Sequence, residues 1–340
     1  MVKKTLASID IGTVTTRLMI ARLTGFDVEC IERLSIITNL GEGVDATGCL
    51  SEEAIERTCK TVEDYRSRIL AVEASGMPVD GIVTTATSAA RDALNASEFL
   101  TRLEALGLKP LIIGGSTEAH VGFLGVAGDF LNNRITVADI GGGSTELTCG
   151  LCTSQHELRI EASDSLTMGA RRICERFFKN EDGSATPAQE HEARAYVAAQ
   201  VNGYKAELKN ELPHTLVCVG GTATSLVSMI NQLIVYDRDF VHLHRTTYDE
   251  VHELTGQLLH MTTQERAQLV GLQPQRAPII AAGALILDEL MACGGWSSYI
   301  ASEADSFYGL LCCAYAVSTG TQSPLSWEPQ LSSIHALSMK

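Results

Sequence analysis

Residues 7–16 read ASIDIGTVTT and residues 137–147 read VADIGGGSTEL. Asp10-Ile11-Gly12 followed by Thr13-Val14-Thr15-Thr16 lines up with Asp139-Ile140-Gly141 followed by Gly142-Gly143-Ser144-Thr145, 129 positions later (139 minus 10). No other feature constrains the fold as much. Each copy is an apolar strand that carries one acid into a glycine turn. A repeat of that kind predicts two related halves facing each other.

The length fits that reading, since 340 residues suggest two domains more than one. Apolar content of 45% and charged content of 20% are those of a core-forming globular chain. No run approaches eighteen uninterrupted apolar residues, so no membrane span is expected. The N-terminus MVKKTLASIDIG runs straight into the first motif, which favours a cytoplasmic location over export. A net charge of −15 argues against nucleic acid as a partner. It leaves an anionic substrate open, because a local pocket can be positive on an acidic protein. The ten cysteines are scattered through apolar segments and read as small buried hydrophobes. Cys149 and Cys152 form a CxxC with no second pair, and this reads as a hairpin turn rather than a metal or redox site.

Along the chain, LASID, RLMIARL and DVECIERLSIITNL predict an antiparallel meander. Residues 51–75 have the spacing of an amphipathic helix, and GIVTTAT is a buried strand leading into a helix near Ala89. Ser97 is expected to cap a helix from Glu98 to Leu106, with Gly107 past its end. PLIIGGSTEAHVGFLGV reads as strand, glycine turn and helix. The second half repeats the plan: ITVADIGGGSTELTCGL, then the strand HELRIEASDSL, a helical stretch from Arg171, a long helix from Pro187 to Leu208, and TLVCVGG before another helix. Tyr248–His260 and Ala277–Ala292 are expected to be helical. His242 and His244 of VHLH alternate as on a strand and read as structural. Domains are expected over 1–127 with about 304–318, and over 128–303. Residues 319–340, rich in Ser, Pro and Thr, are expected to be a surface tail and a candidate for disorder.

A glycine turn between strands lets backbone N–H groups converge on an anion, since the absence of Cβ permits close approach. Gly12, Thr13, Thr15 and Thr16 in one copy, and Gly141, Gly142, Gly143, Ser144 and Thr145 in the other, therefore suit phosphate oxygens. The acids Asp10, Asp139 and Glu146 cannot bind phosphate directly, but hard carboxylate oxygens hold Mg²⁺, or Mn²⁺ in its place, which bridges to phosphate.

These stretches, in order, resemble the exopolyphosphatase and guanosine pentaphosphate phosphohydrolase (Ppx/GppA) family. The match is carried by IDIGTVTTRLMIA, TTATSAARDALNASEFL, IIGGSTEAHVGFLGV, VADIGGGSTEL, SLTMGARRI, VCVGGTATSL and GLQPQRAPIIAAGALIL, from about residue 5 to about residue 315. The resemblance implies an α/β fold of duplicated ribonuclease-H-like domains, as in the actin, sugar-kinase and heat-shock-chaperone superfamily, flanking an interdomain cleft. It also implies the short two-domain form. The implied activity is Mg²⁺-dependent hydrolysis of the terminal phosphate of inorganic polyphosphate. Glu118 falls at the family's catalytic base, where it would hold a water for in-line attack, and Asp139 and Glu146 complete the catalytic set. Arg91 falls on a phosphate-contacting arginine, and its guanidinium fork suits that role. Arg17 and Arg276 match further arginines beside the first loop and in the second half. From the residues alone, Glu118 follows a Gly-Gly-Ser-Thr turn and opens a helix, a position from which a carboxylate reaches a cleft.

Three departures bear on substrate. The family's Ser-Asn-Ser is Thr13-Val14-Thr15, its Glu-Glu-Ala is Thr117-Glu118-Ala119, and its Gly-Leu-Arg-Glu-Gly is Asp305-Ser306-Phe307-Tyr308-Gly309. Alternatives therefore stay open: hydrolysis of guanosine pentaphosphate or a nucleoside triphosphate, or binding of polyphosphate or the (p)ppGpp alarmones without turnover. A sugar or acetate kinase is the outside option, and a homodimer is left open. The two turns are expected to face each other across the cleft with Glu118 between them, with hinges near 126–133 and 300–305.

Overall fold

The computed structural model describes residues 2–153, 157–207 and 215–339. The chain divides into two compact units, one of residues 1–125 and 306–340, the other of residues 126–305.

The first unit is built on a mixed sheet. β1 (Lys4–Ile11) pairs antiparallel with β2 (Thr15–Thr24), which pairs antiparallel with β3 (Asp27–Ile37), as the alternating runs predict. β4 (Gly81–Ala86) lies parallel to β1 on its other side, and β5 (Pro110–Ile112) lies parallel to β4. The helix Glu52–Ala74 starts where Ser51 accepts a hydrogen bond from the Ala54 N–H at 3.2 Å. It buries Val62, Tyr65 and Ile69 in one core with Ala7, Ile9 and Ile11 of β1. Side chains alternate along a strand, so Asp10 faces the other way. On that side the helix Ser306–Thr319, to which the chain returns after the second unit, packs on β1, β2 and β4.

The second unit repeats the plan with β6 (Arg134–Ile140), β7 (Thr145–Cys152), β8 (Leu158–Leu166), β9 (Thr215–Val219), β10 (Arg245–Thr247) and β11 (Ser298–Ala301). Its sheet runs β10-β11-β9-β6-β7-β8. The run β5-β4-β1-β2-β3 corresponds to β11-β9-β6-β7-β8 with the same strand senses. The inferred duplication is thus a duplication of topology, the ribonuclease-H-like plan expected of this fold class. The helix Ile280–Gly294 is buried on nearly every side. Its Asp288, fully buried, accepts from Arg194 at 2.7 Å and meets His252 Nδ1 at 3.0 Å, tying three helices together. Tyr248–His260 begins at a capping box of Thr247 and Glu250.

Several local expectations change. The segment read as a surface tail supplies β12 (Leu331–Ser332), which pairs with β4, and a short helix, Ile334–Ser338, that buries Leu337. Arg66 donates to the Leu337 carbonyl. Ser97 lies inside the helix Ala96–Ala105 rather than at its cap. Asn95 precedes that helix, but its amide is held by the Leu50 backbone, accepting at 2.8 Å and donating at 3.0 Å. Cys149 and Cys152 lie in β7, not in a turn, and both are buried. Burial pushes the Cys149 thiol up to about 11, so it is protonated at neutral pH. His242 follows the short helix Arg238–Val241 rather than lying on a strand, and its Nδ1 accepts from the Glu303 N–H at 3.2 Å. His156, Leu208 and Lys340, ends of the expected strand, helix and tail, lie outside the described residues. Among the described residues no helix is long and apolar enough to cross a membrane.

Candidate active site

Each glycine turn closes in the same way. The Gly12 N–H donates to the Thr15 carbonyl at 3.0 Å, and the Gly141 N–H donates to the Ser144 carbonyl at 3.1 Å. A Cβ on either glycine would stand 3.1 Å from that same carbonyl oxygen. The loop after the third strand then takes the turn's carbonyls. Thr13 accepts from Gly41, and Val14 from Thr38 and Asn39. In the second unit Gly141 accepts from Ala170, Gly142 from Arg171 and Arg172, and Gly143 from Gly169 and the Arg172 side chain. A trans peptide points its N–H opposite to its C=O. The amides of Gly142, Gly143 and Ser144, and those of Val14 and Thr15, are thereby aimed away from the clamping loop. Three successive amides of this kind make an anion-binding nest. Gly169 must be glycine for the clamp to fit, since a Cβ there would be 2.3 Å from the Gly142 carbonyl.

Thr16 and Thr145, expected among the phosphate ligands, are not placed to serve. Both are fully buried. The Thr16 hydroxyl pairs with that of Thr38 at 2.8 Å, and the Thr145 hydroxyl donates to the Met168 carbonyl at 2.7 Å. Equivalent threonines thus anchor the loop that holds each turn. Val14 is 5% exposed, so the side chain that replaces the expected amide is turned into the core.

The acids differ between the copies. Asp10 stands opposite Arg17 in the β1–β2 register, and Arg17 Nη2 donates to its Oδ2 at 2.5 Å. The Thr85 hydroxyl donates to Oδ1 at 3.1 Å. The carboxylate expected to hold metal is therefore engaged by a cation. Arg17 also donates to the Ser306 hydroxyl at 2.7 Å and lies 4.6 Å from the Phe307 ring centroid. In the second unit the residue opposite Asp139 is Glu146, a second carboxylate where the first unit has its arginine. Glu146 is 4% exposed and accepts from the Ser165 hydroxyl at 2.7 Å. Gly220, at φ +86°, lets Asp139 pack closely against it: a Cβ there would be 2.8 Å from Oδ1. Among the described residues no group of three or more His, Cys, Asp or Glu side chains is placed to hold a metal ion. Two carboxylates paired across adjacent strands are of a chemistry that fits Mg²⁺, which takes oxygen ligands and keeps waters in its shell.

Glu118 and Arg91 meet although 27 positions separate them (118 minus 91). Arg91 Nη1 donates to Glu118 Oε2 at 3.1 Å and to the Ile113 carbonyl at 2.9 Å. The helix Ser88–Asp92 that carries Arg91 is tied to β1 by the Thr87 N–H donating to the Ile11 carbonyl at 3.1 Å. Arg276 lies against Gly221, where a Cβ would stand 1.9 Å from its Nη1. The pair Gly220-Gly221 thus borders Asp139 with one residue and Arg276 with the next. Sequence reading missed Ser165, the two glycines and the clamping Arg172. The GG of VCVGG, a strand ending in glycines at a helix start, was the available signal for the glycines.

The sequence profile of the Ppx/GppA phosphatase family matches residues 19–303. Exopolyphosphatase 2 of Mycobacterium tuberculosis is 32% identical over 84% of this chain and 89% of its own. A bifunctional 3-dehydroquinate synthase/phosphatase of Fusobacterium nucleatum is 34% identical over 90% of this chain, which spans 46% of that protein's length. The crystal structure of the Aquifex aeolicus Ppx/GppA family member superposes with a TM-score of 0.76 at 28% identity, covering 95% of this chain and 100% of its own.

Proposed function

The chain belongs to the Ppx/GppA phosphatase family, and we propose that it hydrolyses the terminal phosphate of inorganic polyphosphate. The observation that carries this reading is the second turn. Three amides are aimed outward there, and two carboxylates, Asp139 and Glu146, face each other across the strands that flank it. Phosphate oxygens take the amides of Gly142, Gly143 and Ser144. Asp139 and Glu146 would hold Mg²⁺, which when bound would supply positive charge to the phosphate chain. Glu118 accepts the proton of the attacking water. Arg91, bonded to the Glu118 carboxylate, orients it and offers its remaining donors to phosphate. Thr13, Thr15 and the Gly12 turn supply the donors of the first unit, and Arg276 meets the outgoing chain.

Phosphate release measured side by side from polyphosphate, guanosine pentaphosphate and ATP, with Mg²⁺ and with a chelator, tests the assignment. Polyphosphate is expected to turn over fastest, and only with metal. Faster release from the pentaphosphate or from ATP would move the chain to nucleotide hydrolysis. Binding without release from any of the three would make it a sensor.

A further inference from the structure

Three strands of the second unit place Asp139, Glu146 and Ser165 in one row: Asp139 pairs with Glu146 across β6–β7, and Glu146 with Ser165 across β7–β8. The first unit has the same row with one change, Asp10, Arg17 and Ser35. The duplication therefore provides an internal comparison in which only the middle residue differs in kind. Where the middle residue is arginine, it turns to Asp10 and to the Ser306 hydroxyl, and Ser35 is exposed. Where it is glutamate, the serine hydroxyl donates to Oε1 at 2.7 Å and the carboxylate is buried.

We propose that Ser165 is the positioning residue of the metal site, holding the Glu146 carboxylate in the rotamer that presents it toward Asp139. The inference rests on the proposal that Asp139 and Glu146 bind Mg²⁺. A glutamate side chain has three rotatable bonds, and fixing it before a cation arrives removes an ordering cost from binding. A hydroxyl donor to one oxygen sets the plane of the carboxylate, and partners of that kind tune metal affinity by about 10- to 100-fold. Ser163, two residues earlier on the same face of β8, pairs with Thr148 at 3.2 Å and serves as a control for general loosening of the strand.

The test is calorimetric titration of the full chain with Mn²⁺ and with Mg²⁺, without substrate. Ser165→Ala is expected to weaken both by about tenfold. Ser165→Thr, which keeps a hydroxyl, should recover most of the affinity, while the equally shaped Ser165→Val should not. Ser163→Ala should bind as the unaltered chain does. The Thr and Val pair keeps the comparison valid if the alanine variant folds poorly. Equal affinity of the Thr and Val variants, or equal losses from Ser163→Ala and Ser165→Ala, would overturn the role of Ser165. Loss of binding in Glu146→Gln with no loss in Ser165→Val would leave the metal site standing and remove Ser165 alone. An unaltered chain that binds neither ion would overturn both.

Discussion

Glu118→Gln separates chemistry from structure, because the amide keeps the shape of the carboxylate and loses its basicity. Glu118 accepts from Arg91 at 3.1 Å, and the side chains are 15% and 26% exposed. The amide oxygen of glutamine still accepts that hydrogen bond. What is lost is the charge–charge part of a partly solvated pair, about 0.5–1 kcal/mol. The first unit has 160 residues (125 plus 35), and for a domain of that size 1 kcal/mol corresponds to about 2–4 °C in melting temperature. Loss of the base, by contrast, costs about 10²-fold or more in turnover, or about 2.7 kcal/mol in the barrier. Steady-state phosphate release from polyphosphate at saturating Mg²⁺, beside a thermal melt, gives both numbers. Turnover should fall at least about 100-fold while KM and the melting temperature hardly move. Unchanged turnover would remove Glu118 from the chemistry. A melting temperature lowered by more than about 10 °C would show that the carboxylate is structural, contrary to the ledger above.

Three further outcomes follow from the same geometry. Glu146→Arg gives the second unit the Asp–Arg pairing that the first already has, so the circular dichroism spectrum should be kept while Mn²⁺ binding disappears; a variant that still binds Mn²⁺ would contradict the metal assignment. Cys59, Cys149 and Cys293 are pushed up by burial from 9.0 to about 11; because the folded state favours the neutral thiol, their contribution to stability is complete below pH 9 and lost as pH rises toward 11. Melting temperature should therefore drop over that interval, and a flat profile would refute the effect. Polyphosphate should slow amide exchange at Val14–Thr15 and at Gly142–Ser144 together; protection of one turn alone would refute the proposal that both act on one substrate.

What the sequence revealed and what it concealed follow one division. The turns were legible because glycine is needed wherever a backbone closes this tightly, and Gly12 and Gly141 close on equivalent carbonyls. The meanders were legible because apolar strand-like runs follow one another across short turns. Thr16 and Thr145 were misread because a hydroxyl at the end of a turn and one at the start of a strand look alike in sequence. Only the parity of the strand decides that theirs point into the core. β12 and the short helix Ile334–Ser338 were hidden because two residues of strand and five of helix leave no periodicity to detect. The meeting of Arg91 with Glu118 depends on where β4 and β5 deliver their helices, which no local pattern encodes.

The proposal that the metal belongs to one unit comes from comparing the two copies of the duplicated fold. Asp10 and Asp139 have equivalent places in the strand before equivalent turns, and by sequence both qualified as ligands. Seven positions on, the copies diverge: Arg17 in one, Glu146 in the other, again 129 apart (146 minus 17). Cross-strand neighbours on one face interact directly, so that single difference sets the charge of the whole row. An aspartate beside a guanidinium already has a positive partner. An aspartate beside a second buried carboxylate is costly unless a positive charge joins them. On this reading the proposed metal ligands, Asp139 and Glu146, both belong to the second unit. The converse exchange has the converse consequence. Arg17→Glu should create a second dicarboxylate row, and Mn²⁺ titration of that variant should show stoichiometry rising from one ion per chain toward two. If stoichiometry stays at one while the fold is intact, the row alone does not make a site. Gly220, against which Asp139 packs and for which the residues flanking Asp10 offer no counterpart glycine, is then the part that the first unit lacks.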